Sequence, residues 1–147
     1  MTKRLDADDR CPVRDGLFMP AEWEPHARCW LAWPCRLEPW GSEDGMLRAR
    51  LGYAAVARAI SGFEKVTMAV KPRDADEARL MIGRGIEFLE VEIDDSWARD
   101  SGPIFVTNGR EGVAGVAWRF NAWGNKYHGY DNDAAFGRHV IDALDMR

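Results

Sequence analysis

A chain of 147 residues with a formal net charge of −4 can bury one core, and it lacks the basic excess that phosphate binding needs, which argues against nucleic acid as a partner. Hydrophobic residues make up 46% and charged residues 30%, which excludes a disordered chain, and no apolar run reaches the ~20 residues that cross a bilayer. The irregular spacing of Cys11, Cys29 and Cys35, without a CxxC pair, fits neither a disulfide framework nor a zinc ribbon.

The amino terminus is polar and lacks the apolar stretch of a secretory signal, so residues 1–18 are expected to form a flexible entry segment of a cytoplasmic, reduced protein. "RCWLAWP" reads as a buried strand stopped by Pro34. Ser42, followed by Glu43 and Asp44, predicts an N-cap and a helix over roughly 43–61. Tyr53, Val56, Ala57 and Ile60 are its expected apolar stripe. "EKVTMAV" is a second strand. A helix over roughly 73–83 follows, capped by Asp74, with Ala78, Met81 and Ile82 facing the core and Gly83 ending it. In "IEFLEVEID" the alternation of Leu89, Val91 and Ile93 with Glu90 and Glu92 predicts a half-buried strand. The loop "DDSWARDSGP" leaves that strand. "IFVTN" and "GVAGVAW" predict two strands joined near "NGREG", and "NAWGNKYHGYDN" predicts a polar, aromatic loop. A last helix over roughly 131–145 carries Phe136, Val140, Ala143 and Leu144 on one face. The order defines an α/β or α+β fold with mixed strands. No strand closes the last helix, so the chain is expected to be cut off.

Four constellations could carry chemistry. Trp97 and Asp100 lie three apart beside the Gly102-Pro103 exit. A carboxylate and an indole suit a planar cation, through charge-assisted hydrogen bonds and cation–π attraction. The ordinary alternative is that Asp100 caps a turn or pairs with Arg99 while Trp97 packs on the core. Asp94, Asp95, Asp100 and His128 could be a hard-metal site, although adjacent residues of a strand point to opposite sides. Cys29 or Cys35 could act with His26, His128 or His139, although a free cysteine in a strand is usually a small hydrophobe. Trp123 either lines a pocket or covers a core edge, and Gly124 permits a positive φ.

"MPAEWEPHARCWLAWP", "DDSWARDSGPIFVTN" and "WRFNAWGNKY" follow one another in an order that resembles the agmatine deiminase family, which includes the bacterial-type peptidyl-arginine deiminases. The likeness runs from about Met19 to the final helix. It implies a pentein-type α/β propeller, of which this chain would hold about two of the five modules. It implies hydrolysis of the guanidinium of agmatine to N-carbamoylputrescine and ammonia, on a route to putrescine, with peptidyl-arginine as the sister substrate and no metal or organic cofactor. In such enzymes carboxylates clamp the guanidinium, a cysteine thiolate attacks its carbon and a histidine moves protons. The resemblance makes Asp100 a guanidinium ligand and Trp97 a wall of the site. The candidate substrate contacts are then Trp97, Asp100 and Trp123.

The chain also departs from the pattern. The family's later glutamate, its His-x-Asp pair and its glycine-rich loop with the nucleophilic cysteine have no counterpart here, and Asn125 stands where the family has a second glycine. Residues 19–147 therefore read as the amino-terminal part of a deiminase domain. That part should be inactive alone, and its exposed module faces could make homo-oligomers. The alternative is a non-catalytic fragment or binding module.

Overall fold

The computed structural model describes residues 12–110 and 112–146. The first eleven residues of the predicted entry segment, Cys11 among them, lie outside the described residues. In the remainder of that segment Pro12–Asp15 forms a 3-10 turn. Phe18 bridges to Thr107 through backbone hydrogen bonds of 2.8 and 2.9 Å.

Three parallel strands, β1 (Cys29–Ala32), β2 (Val66–Val70) and β3 (Glu87–Glu90), pair in the order β1-β2-β3. The crossovers are α1 (Glu43–Ser61) and α2 (Ala75–Ile82). The central strand is buried throughout, as a parallel strand covered on both faces must be, and so "VTMAV" is nearly all apolar. Its alternating side chains feed two cores. Val66, Met68 and Val70 pack with Trp33, Ala54, Ala57, Ala78 and Ile82 under α1 and α2. Ala69 joins Ala32, Ile93, Phe136 and Val140 on the opposite side, under α5 (Asp131–Ala143).

Local chemistry explains most boundaries. Ser42 is extended at φ −159° and its hydroxyl accepts from the Gly45 amide at 3.1 Å, so α1 starts at Glu43. Small residues, Ala54 and Ala57, let α1 approach the sheet. Val56 lies about 100° around the helix from Ala57 and is 49% exposed, off the expected stripe. Asp74 makes no capping bond, contrary to expectation. A 3-10 turn, Pro72–Asp74, leads into α2 instead, and the Asp74 carboxylate lies 3.6 Å from the Arg50 guanidinium. The third strand stops at Glu90, short of the predicted alternation. Its ladder closes with the Val91 amide donating to the Val70 carbonyl, and Ile93 then drops into the second core.

After that strand come α3 (Ala98–Ser101), the antiparallel pair β4 (Ile104–Thr107) and β5 (Val113–Val116), α4 (Ala122–Asn125) and α5. The hairpin lies so close to α5 that a β-carbon on Gly115 would sit 2.4 Å from Ile141 Cγ1. Ile141 takes the core position expected of Ala143, which is exposed. Among the described residues no helix is long and apolar enough to cross a membrane.

Candidate functional site

Two loops are held side by side before either presents a functional group. The Asp94 carboxylate accepts from the Asn132 amide at 2.9 Å, from Asn132 Nδ2 at 2.8 Å and from the Asp133 amide at 3.3 Å. It thereby satisfies free N–H groups in the first turn of α5. Asp133 answers by accepting from the Asp94 and Asp95 amides at 2.8 and 3.3 Å. Asp133 is buried, and burial pushes its carboxyl up to about 6, against the pull of those two amides and with the help of the neighbouring Asp94 and Asp95 carboxylates. Arg36, just past β1, ties both loops together. Its Nε donates to the Asp94 carbonyl at 3.3 Å, and its guanidinium also donates to the carbonyls of His128, at 3.1 Å, and Gly129.

From this base α3 makes a single turn, in which Asp100 and Ser101 amides both donate to the Trp97 carbonyl at 3.0 Å and the Ser101 hydroxyl donates to it at 2.9 Å. The predicted loop thus contains a helical turn, separated from β3 by the irregular segment 91–97. The second loop contains a rarer object. Ala122, Trp123, Gly124 and Asn125 have φ of 48°, 55°, 80° and 63°, a left-handed turn. Each residue with a β-carbon in that region costs ~1–2 kcal/mol, so the surroundings must hold it. Asn121 Oδ1 accepts from the Gly124 amide at 3.0 Å, Ala122 is buried, and the Tyr130 hydroxyl donates to Asn125 Oδ1.

The strained turn aims an indole at a carboxylate. Trp123 Nε1 donates to Asp100 Oδ1 at 3.1 Å. The Trp123 ring meets Trp97, Phe120 and Tyr127 edge to face, at centroid distances of 6.1, 5.3 and 5.8 Å. Arg99 pairs with Glu22. Asp100 Oδ2 takes no hydrogen bond from any described residue. Asp100 and Trp97 line an open, mostly apolar cleft of ≈ 1140 Å³, with Tyr53, Glu22 and His26 also on its walls. The clamp reading expects Trp97 to be largely buried beside Asp100; it is instead 37% exposed, because it borders this cleft as well as packing against Trp123. The structure therefore brings together Trp97, Asp100 and Trp123. Phe120, Tyr127, Arg36 and Asp133 were missed in the sequence. The aromatic density of "FNAWGNKYHGY" is a signal for the first two, whereas a buried aspartate among surface acids leaves none.

The other candidates fall elsewhere. The Asp94 and Asp95 carboxylates serve the loop, Asp94 on Asn132 and Asp95 Oδ1 accepting from the Ser96 amide at 2.8 Å. Cys29 Sγ donates to Glu64 Oε1 at 3.3 Å, and burial together with that carboxylate pushes its thiol up to about 11. Burial pushes the Cys35 thiol up to about 12. Both values lie far from those of an activated nucleophile, and neither residue lines the cleft. His139 is exposed on α5.

Fold and wall together define an α/β domain that presents a carboxylate braced by indoles at the edge of an open cleft. Comparison with known proteins gives the family: the model for the Porphyromonas-type peptidyl-arginine deiminase matches residues 18–147, and the chain belongs to that family. It is 47% identical over 137 residues to a Legionella pneumophila protein named "Putative agmatine deiminase", covering 92% of this chain and 39% of the relative. It is 41% identical over 136 residues to the agmatine deiminase of Ectopseudomonas mendocina, covering 89% of this chain and 36% of that one. Among solved structures, the agmatine deiminase of Enterococcus faecalis superposes with a TM-score of 0.87 at 32% identity, over 92% of this chain and 38% of that one. The chain spans about two fifths of the length of these relatives, 39% for the first of them.

Proposed function

We propose that this chain supplies one wall of the guanidinium site of an agmatine deiminase. The substrate is a small molecule. Asp100 grips the guanidinium through its unpartnered Oδ2, while Trp97 and Trp123 present aromatic surface to it. The observation that carries this reading is the Trp123 Nε1–Asp100 Oδ1 bond at 3.1 Å, which fixes the carboxylate while leaving its second oxygen for a ligand. The names of the relatives support agmatine.

On this reading residues 19–147 are the amino-terminal part of a pentein-type propeller, about two of its five modules. That the chain covers 38% of the Enterococcus faecalis chain supports reading it as a part of a larger domain. Hydrolysis to N-carbamoylputrescine and ammonia, in a cytoplasmic route to putrescine, needs a thiolate about 3–3.5 Å from the guanidinium carbon and a proton-transfer group beside it. The positions and raised thiols of Cys29 and Cys35 make them poor stand-ins, which supports a nucleophile from outside the described residues.

The test is a ureido-product assay on the purified 147-residue chain with agmatine and with an arginine peptide. No product above the blank is expected from either. Turnover that disappears in Cys29→Ser or Cys35→Ser would place the nucleophile in this chain and overturn the proposal.

A further inference from the structure

Away from the cleft carboxylate, the fold gathers three side chains of different donor type, His26, Cys29 and Glu64, with ligand atoms all within 4.8 Å of one another. They come from the segment before β1, the first residue of β1 and the turn before β2, and the Cys29 amide donates to the Lys65 carbonyl at 2.8 Å to lock that corner. The sequence shows no metal pattern here, because Glu64 is 38 residues from His26 and no CxxC pair is present.

We infer that His26, Cys29 and Glu64 form a binding site for a single zinc-like divalent cation, with a fourth position open to water. Three arguments converge. The first is geometric. Zinc bonds of about 2.0–2.3 Å in a tetrahedron put ligand atoms roughly 3.3–3.8 Å apart. Cys29 Sγ stands 3.3 Å and His26 Nδ1 3.5 Å from the same oxygen, Glu64 Oε1, so two edges already have that length. The remaining edge, no longer than 4.8 Å, needs to close by at most about 1.5 Å. The second is the imidazole tautomer. His26 Nε2 lies 2.9 Å from the Glu22 carbonyl, an acceptor only, so Nε2 carries a proton and Nδ1 is the ring nitrogen that faces the cluster, 3.5 Å from Glu64 Oε1. An outer N–H given to a backbone carbonyl is how metal-ligating histidines are oriented. The third is an unspent oxygen: Glu64 Oε2 is buried and accepts no hydrogen bond from a described residue.

The donor set selects the cation. A thiolate and an imidazole favour zinc and similar borderline metals over magnesium or calcium, which want oxygen ligands throughout. On binding, the Cys29 Sγ–H bond breaks, its proton leaves to solvent and the sulfur electron pair goes to the metal. The bound ion would pin the segment before β1 to the sheet corner.

The experiment is titration of the reduced, chelator-stripped chain with cobalt(II), followed by displacement with zinc(II). Expected are one equivalent bound, tetrahedral ligand-field bands with a thiolate charge-transfer band, and a melting temperature that rises with zinc concentration. Cys29→Ser loses the charge-transfer band, Glu64→Gln and His26→Ala weaken binding by at least about tenfold, and Cys35→Ser changes nothing. His26 is exposed, so His26→Ala keeps the test valid even if Cys29→Ser fails to fold. Absence of stoichiometric binding to the wild-type chain overturns the site. So does a charge-transfer band that survives Cys29→Ser or an affinity untouched by His26→Ala.

Discussion

Asp100→Asn is expected to lower the affinity of the chain for agmatine by about tenfold and to leave the fold intact. The replacement is isosteric. Asparagine keeps an oxygen to accept from Trp123 Nε1, so the indole and the strained turn behind it stay in place. Only the negative charge is lost. A hydrogen bond to a charged group contributes ~1.5–3 kcal/mol, which is about 10- to 150-fold in affinity. Asp100 is exposed in this chain and solvent screens it, so the lower end of that range applies. Isothermal titration calorimetry reads the affinity and circular dichroism reads the fold. Equal affinity in the two proteins would remove Asp100 from the site.

The second large effect is a change in how stability depends on pH. The Asp133 carboxyl is raised from 3.8 to about 6 in the folded chain, mainly by burial. A raised acid binds its proton more tightly when folded. Its contribution to stability is therefore complete below the unfolded value of 3.8 and is lost as pH rises through about 6. The difference corresponds to roughly 2–3 kcal/mol. Asp133→Asn keeps an oxygen for the Asp94 and Asp95 amides but cannot titrate. Urea unfolding of both proteins between about pH 4 and 7 is expected to show the variant gaining on the wild type as pH rises. Parallel stability curves would mean that Asp133 is not raised.

What could be read from the sequence is what short-range rules govern. The first helix was legible to the residue because Ser42 and the two acids after it settle its start locally. The central strand was legible because burial on both faces leaves no polar alternation. The end of the third strand was not, since Val91 and Ile93 continue the alternation while their burial comes from α5, far along the chain. Asp74 reads as a cap but lies beside Arg50, a partner that only the α1–α2 packing brings near. The resemblance singled out Trp97, Asp100 and Trp123, yet the way they meet was hidden. It depends on a left-handed turn in which three of four residues carry a β-carbon, a conformation that local preference opposes and the tertiary bonds of Asn121, Asn125 and Tyr130 sustain. The reciprocal bonds between Asp94 and the start of α5 were equally out of reach, because each joins residues 38 or 39 apart.

The central claim, that Asp100 with Trp97 and Trp123 receives a planar cation, is tested most directly on the indoles themselves. The indole N–H resonances of the nitrogen-15-labelled chain report each tryptophan separately during titration with agmatine. Trp97 and Trp123 are expected to shift together on one saturable curve. The exposed Trp23 and Trp118, which make no ring contact with this cluster, are expected to stay still, and the shifts should vanish in Asp100→Asn. Saturable shifts that leave Trp97 and Trp123 unmoved, or shifts that persist undiminished in Asp100→Asn, would contradict the assignment.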